Sequence, residues 1–312
     1  MTQLHVLRRA KRLYGKWLGL RSRTLSSCDE IRAVWENTAS FRRMLKEESR
    51  REFLGGKKLI WQINPKDAGV RFAREVGIPV LSLESYADAD SLLSRVRESE
   101  SRLVVKPWIG NSSKGIYIVY GADDIFDLGR REGMKSFEDF ARRIAGTEQT
   151  GWSVEPFLPS TYDERCPAHD LKFYSFYGRI GLVLEVRRHP TIRYCWWNAD
   201  GERIGKVKHE QRLFLGQGFS DLEKEWAIKL SSEIPAPFMR IDFLRSSKGS
   251  FFGEFTPRPG GFEYFPNRLN RWLGERYLEA QTRLLDDLWN GKTFDHFRKA
   301  TARDLPPAIL AS

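Results

Sequence analysis

Two carboxylates, Asp242 and Glu254, lie in short alternating runs, MRIDFL and FFGEFT, that flank the turn residues Ser-Ser-Lys-Gly. Period-two alternation sets Arg240, Asp242 and Leu244 on one face of the first run, and Phe252, Glu254 and Thr256 on one face of the second. Gly249 is the natural positive-φ residue of a three-residue hairpin loop centred on Lys248, a register that predicts Asp242 opposite Glu254 and Arg240 opposite Thr256. Facing carboxylates repel. A hard cation such as Mg²⁺ takes one or two protein carboxylates and completes its shell with phosphate oxygens and water, which turns the repulsion into ligation. Arg258, just past the second run, would hold an anion beside the metal. Taken alone, the stretch is equally a surface hairpin with solvated charges.

A metal·phosphate reading needs cations elsewhere in the chain. In LVVKPWIGNSSKGIYIVY, two strands are joined by a polar, small-residue loop containing Gly110, Asn111, Ser112, Ser113, Lys114 and Gly115, with Lys106 at the end of the first strand. Such a loop offers backbone N–H groups, hydroxyls and ammonium charge to phosphates. It runs into a strand, so it is not a P-loop, and a plain β-hairpin is its alternative reading. Further on, HDLKFYSFYGRIGLVLEVRR reads as two strands around Tyr177-Gly178-Arg179, with Asp170, Lys172 and Tyr174 sharing a face. Lys172, on a half-buried sheet, requires an anionic partner. WSVEPFLP reads as a short strand ending in a hinge. There Glu155, Phe157 and Leu158 could frame a flat base, and main-chain donors must come from Phe157 or Leu158 because Pro156 has no N–H.

Other chemistries find little support. The histidines are isolated, the adjacent His169-Asp170 pair is poor ligand geometry, and no Ser/His/Asp or Cys/His pattern stands out. Cys28, Cys166 and Cys195 are far apart and show no paired metal spacing, which suits single buried thiols in a reducing cytosol.

The elements that must position these groups follow from length and pattern. The chain has 312 residues, 41% of them hydrophobic and 13% aromatic, enough for two or three subdomains around a large core. No apolar run is long enough to span a membrane, and the basic N-terminus lacks the apolar core of a secretory signal. Of the net charge of +11, residues 1–60 carry +9, with 15 Lys or Arg against 6 Asp or Glu. HVLRRAKRLYGKWLGLRSR therefore reads either as a solvated helix face packing its apolar residues on the protein, or as a basic amphipathic helix on an anionic membrane surface. Nucleic acid is not an expected partner, since no binding module accompanies the charge.

Residues 29–53 read as helical, LIWQI and IPVLSL as strands, and KDAGVRFAREVG and ADADSLLSRVRES as helices. Residues 57–100 thus alternate like an α/β unit. SFEDFARRIAG is a helix capped by Ser136 and Gly146, DLEKEWAIKLSSEI another, and RWLGERYLEAQTRLLDDLWNG an amphipathic helix before a Pro-containing, irregular tail.

The order and wording of VVKPW, VEPFLP, HDLKFYSFYGR, MRIDFL and FFGEFTPRPGGF over about residues 60–270 resemble the ATP-grasp superfamily, and within it the TupA-like branch associated with teichuronic acid and other surface-polysaccharide biosynthesis. The resemblance implies a mixed α+β fold, with ATP between two α+β lobes. It divides the chain into a basic helical segment (1–56), a small N-terminal α/β subdomain (57–100), a small lobe with the phosphate-covering loop (101–155) and a large lobe with the Mg²⁺-binding hairpin (156–312). It further implies that Lys106 and Lys172 contact the α- and β-phosphates while the Gly110–Gly115 loop, with Ser112, Ser113 and Lys114, closes over them. Glu155, Phe157 and Leu158 would frame adenine, Asp242 and Glu254 would ligate Mg²⁺, and Arg240 and Arg258 would stabilise charge on the transferring phosphoryl group or an acyl phosphate. Where many relatives have an Asn two residues after the metal Glu, this chain has Thr256. The activity implied is a cytoplasmic, ADP-forming carboxylate–amine ligase acting on small-molecule substrates, with Glu263 and Tyr264 as further acceptor contacts. A phosphotransferase or another surface-polysaccharide enzyme on the same fold is the alternative, and a non-catalytic, membrane-associated protein is a second. Under the ligase reading, Asp242→Asn and Glu254→Gln should each abolish Mg·ATP turnover with the fold intact.

Overall fold

The structure, a computed structural model, describes residues 39–55, 59–108, 114–147, 151–205, 207, 208 and 210–302. The basic N-terminal stretch, Cys28, the tip of the small-residue loop including Gly110, Asn111, Ser112 and Ser113, and the Pro-containing end of the chain lie outside these residues.

Two six-stranded antiparallel sheets organise the molecule. The small sheet has the order β1 (Glu84–Tyr86), β6 (Trp152–Pro156), β2 (Leu103–Pro107), β3 (Tyr117–Gly121), β4 (Asp124–Asp127), β5 (Glu132–Gly133). One of its faces packs Leu103, Val105, Tyr117, Val119 and Val154 on Leu92 and Val96 of α3 (Ala89–Arg97) and on Phe137, Phe140 and Ile144 of α4 (Phe137–Ala145). Asp88 and Ser136 cap these two helices, each accepting from a backbone N–H of the first turn. The opposite face carries Val104, Ile118 and Phe157 together with Lys106 and Glu155.

The large sheet has the order β10 (Arg203–Ile204), β9 (Arg193–Asn198), β8 (Ile180–Arg187), β7 (His169–Ser175), β11 (Met239–Ser246), β12 (Gly249–Thr256). Beneath one face lie α5 (Asp221–Ser232), whose start is closed by a Ser220/Glu223 capping box, α2 (Lys66–Glu75) and α7 (Asp295–Thr301). Phe72 of α2 meets both Phe255 and Phe297 edge-on. On the other face an aromatic cluster of Phe41, Tyr174, Trp196, Phe238 and Phe265 buries one end of the sheet. Phe41 comes from α1 (Phe41–Phe53), which packs along α6 (Asn267–Trp289); Ala39 lies so close to Gly274 that a Cβ there would sit 2.3 Å from the Ala39 carbonyl oxygen.

Several elements differ from the sequence reading. LIWQI is a 3-10 helix, Leu59–Ile63, whose Ile63 is fully buried against α2 and α7; a five-residue apolar run has no periodicity that separates strand from helix. IPVLSL contributes only an isolated bridge from Val80 to Phe252, because Pro79 cannot donate, and the strand forms later at Glu84–Tyr86. That strand pairs antiparallel with β6, so the alternation over residues 57–100 is not a parallel crossover unit: β1 and α3 build on the small sheet, while α2 packs under the large one. The tail beyond α6 folds into α7 before the described residues end. No described helix is long and apolar enough to cross a membrane.

Candidate active site

The β11–β12 hairpin has the expected pairing, Asp242 opposite Glu254 and Arg240 opposite Thr256, but reaches it differently. Its loop is two residues, Ser247 and Lys248, with Gly249 at φ 108°. A bulge then skips Gly253, so that Phe243 faces Phe252. Phe252 therefore does not share a face with Glu254: it turns into the core and packs at 4.5 Å, with its ring tilted, against Phe255. A Cβ on Gly253 would lie 3.0 Å from the Asp242 carbonyl oxygen, so the bulge needs a residue without a side chain.

Register carries the site across the sheet. Trp196, Leu184, Lys172, Asp242 and Glu254 form one row over β9, β8, β7, β11 and β12, and Asn198, Leu182, Tyr174, Arg240 and Thr256 form the next. Asp170 lies one row toward the hinge, on the same face as Lys172 and Tyr174, as alternation predicts.

Asp242 is the electrostatic centre, with a side chain only 4% exposed. Its two oxygens accept from Arg240 Nε and Arg240 Nη2, both at 2.7 Å, and one also accepts from Lys172 Nζ. Burial alone would raise its pKa, but Arg240 and then Lys172 outweigh burial and hold the carboxyl below the ordinary aspartate value. Glu254 has less support: Arg240 Nη2 lies 3.3 Å away and the side chain is 46% exposed. The surrounding protein, and then the Asp242 charge, push its carboxyl up. Thr256 accepts from Arg240 Nη2 at 2.8 Å. Tyr174, buried beneath Arg240, is pushed up to about 12 by desolvation.

The small sheet presents Lys106, paired with Glu155 across neighbouring strands, both side chains less than a fifth exposed. At the hinge, the Phe157 N–H donates to Arg102 O at 3.0 Å and Leu158 O accepts from Ala168 at 2.8 Å. Of the two expected main-chain donors, Phe157 is thus already engaged, and the role falls to Leu158. Lys114 is exposed, and Gly115, at φ 70°, turns the chain against the Pro107 ring.

Arg258 lies at the rim and points away from the carboxylates. Its guanidinium donates to Ser49 Oγ, sits 3.9 Å from Glu52 and lies over the Trp61 ring at 5.5 Å, which ties the hairpin exit to α1. Glu263 and the exposed Tyr264 follow on the 3-10 turn after Gly261.

Sequence reasoning missed three cations. Lys66, the first residue of α2, is held below its ordinary value by burial and by Lys106, against the attraction of Glu155 and Glu254; it therefore stands between the two sheets. A lysine in the first turn opposes the helix dipole, and that was the one available signal. Arg188, after β8, pairs with Asp170 at 2.6 Å and senses Asp242 and Glu254; a strand-end Arg-Arg carries no such signal in sequence. Lys208 comes from the loop after β10 and lies near Arg240. Lys66, Lys106, Lys172, Arg188 and Arg240 thus converge with Glu155, Asp170, Asp242 and Glu254 between the sheets, an arrangement that can neutralise a polyanion once the acids exchange partners.

A family model described as TupA-like ATPgrasp matches residues 47–278. Among solved structures, the chain is similar to the ATP-grasp ligase PsnB complexed with minimal precursor, at 13% identity over 71% of this chain and 62% of that one, with a TM-score of 0.44. It is also similar to the macrocyclase MdnC bound with precursor peptide MdnA from Microcystis aeruginosa MRC, at 14% identity over 84% and 75% of the two chains and a TM-score of 0.44. The D-cycloserine synthetase DcsG aligns at 18% identity over 69% and 70%, with a TM-score of 0.39. The chain spans less than two thirds of the first of these proteins. No curated protein matches it.

Proposed function

We propose that this chain, which belongs to the TupA-like ATP-grasp family, is an ADP-forming carboxylate–amine ligase that binds ATP between its two sheets. The observation that carries the reading is the Lys172–Asp242–Glu254 row of the large sheet, with Lys66 at the start of α2 close enough to sense Glu254, Lys106 and Glu155. Lys106, Lys172 and the neighbouring Arg188 each have an acid partner, so a polyanion can enter by exchange without leaving bare charge in a buried place.

Asp242 and Glu254 fit a Mg²⁺ ion. They are hard oxygen donors in register, and the Glu254 carboxyl is pushed up by burial and by Asp242, a deficit of positive charge that a cation would correct. Among the described residues no third metal-ligating side chain joins them, and such an ion would complete its shell with phosphate oxygens and water. When bound, Mg²⁺ supplies charge neutralisation at the transferring phosphoryl oxygens.

The chain's own residues do the rest. Lys106 and Lys172 leave Glu155 and Asp242 for the α- and β-phosphates, and Lys66 adds a third contact. Lys114, exposed at the described end of the small-residue loop, adds a further positive charge for them. Glu155, Phe157 and Leu158 frame adenine against Val104 and Ile118. Arg240, held in place by Asp242 and Thr256, faces the developing negative charge. The γ-phosphoryl group passes to a substrate carboxylate, an amine displaces phosphate from the acyl phosphate, and an amide results. Surface-polysaccharide or peptide substrates are both compatible with this scheme, since the fold constrains ATP use more than the acceptor.

The test is to incubate the protein with Mg·ATP and pooled amino acids, amines and sugar acids, and to identify the nucleotide product. ADP with an amide product is expected. AMP and pyrophosphate would exclude the scheme, and a phosphorylated acceptor with no amide would make the protein a phosphotransferase.

A further inference from the structure

Lys208 makes no ion pair among the described residues and is held instead by a carbonyl and two aromatic rings. Its Nζ donates to Gly261 O at 2.9 Å, lies 4.0 Å above the Phe265 ring and 5.5 Å from that of Trp196. Both rings are almost fully buried. The charged groups facing it are Arg240 on β11 and Glu263 on the 3-10 turn. Burial, and then the like charge of Arg240, lower its ammonium to about 8, with Glu263 opposing weakly. The carbonyl and the ring face engage N–H hydrogens, so the neutral amine keeps its lone pair free.

Its place along the groove matters as much. From the hinge, β7 and β11 present Asp170, then Lys172 with Asp242, then Arg240, and Lys208 lies near Arg240, beside the Gly261 turn. The nucleobase belongs at the hinge end and the phosphates over Lys172, so the reacting carbonyl and the incoming amine belong at the Arg240 end. Building on the ligase reading, we infer that Lys208 is the catalytic base that takes a proton from the acceptor amine.

The amine enters as an ammonium ion. Neutral Lys208 accepts one proton at Nζ, and the freed lone pair forms the C–N bond. The C–O bond to phosphate then breaks, and phosphate leaves with that electron pair. The second nitrogen proton goes to the departing phosphate, which leaves an amide and hydrogen phosphate, and Lys208 returns its proton to solvent. Arg240, always charged, favours the neutral form of Lys208 before attack and stabilises the oxyanion during it.

The experiment compares wild type, K208R and K208M in the full chain, using the carboxylate pool with either an alkyl amine or hydroxylamine as acceptor, from pH 6 to 9. Hydroxylamine is already unprotonated near neutrality and does not need the base. With the alkyl amine, kcat for both variants should fall by about a hundredfold near neutral pH, within the usual range for a lost general base, and the levelling of the wild-type rate near pH 8 should give way to a rise that continues to pH 9 as free amine accumulates. With hydroxylamine, hydroxamate formation should stay within about threefold of wild type, well below the loss of such a base. K208R keeps the cation over Phe265, so equal thermal unfolding of wild type and K208R separates a lost base from a lost fold. Equal losses with both acceptors, or a wild-type pH profile in K208R, would overturn the assignment alone. Absence of ADP and hydroxamate from the wild type with every pool would overturn the ligase reading and this assignment with it.

Discussion

Asp242→Asn and Glu254→Gln remove one carboxylate charge each, from positions directly opposite one another, yet their effects on stability should have opposite signs. The Asp242 side chain is 4% exposed, and those of its partners Lys172 and Arg240 are 11% exposed. Neutralising it leaves two buried cations facing each other, a change that costs about 3–5 kcal/mol when a buried pair is broken. Asparagine retains one acceptor oxygen for Arg240, so the lower end, about 3 kcal/mol, is expected. At about 2–4 °C per kcal/mol for large domains, melting should fall by about 6–12 °C. Glu254 is 46% exposed and its carboxyl is pushed up in the fold, so ionising it there is unfavourable; allowing for solvent screening, E254Q should gain about 0–1 kcal/mol near neutral pH.

The pH dependence follows the same signs. Asp242 contributes stability above its ordinary value of 3.8, and this is lost as pH falls through its depressed folded value. Protonated Glu254 favours the fold below its ordinary value of 4.5, and this is lost as pH rises through the raised folded value, so the advantage of E254Q should appear only above that point. Urea unfolding of both variants without nucleotide, from pH 4 to 8, measures both effects. A D242N midpoint equal to wild type, or an E254Q variant as unstable as D242N, would refute the picture of one satisfied and one under-compensated carboxylate. Turnover alone cannot separate these two residues, because Mg·ATP turnover should collapse in both.

Gly253→Ala should cost about 1–3 kcal/mol by overpacking against the Asp242 carbonyl, and urea unfolding would show it; a neutral outcome would mean the bulge is not required. Lys66→Met should weaken Mg·AMPPNP binding about ten- to a hundredfold, the loss of one charge-assisted contact, as read by calorimetry. Acidification from pH 7 toward 5 should weaken Mg·AMPPNP binding to wild type as Glu254 takes up a proton, and a titration of E254Q over the same range should be flatter. Phe72→Ala, which removes the ring between Phe255 and Phe297, should lower stability by about 3–5 kcal/mol.

Much of the site is legible in the residue order because strand periodicity is local. Alternation alone places Asp170, Lys172 and Tyr174 on one face, and Asp242 opposite Glu254, since a side chain's face depends only on its neighbours along and across one hairpin. Capping residues mark the ends of α3 and α4 for the same reason. Phe252 shows the limit: a single skipped residue, Gly253, reverses the face of everything beyond it while the carboxylate pair stays in register. LIWQI shows another, because five apolar residues satisfy a strand or a helical turn equally until α2 and α7 supply the surface that buries Ile63.

The partners of each charge could not be read at all. Glu155 answers Lys106 from an adjacent strand far along the chain, Arg258 is held by Ser49 of α1, and Lys66, Arg188 and Lys208 arrive at the cleft from a helix start, a strand end and a loop. The residue order by itself determined which face of each strand the candidate side chains share, because that is a short-range consequence of backbone geometry. Only the tertiary structure decided which acid neutralises which base and which lysine is left without one, because Coulomb energy and desolvation depend on distance and burial in space.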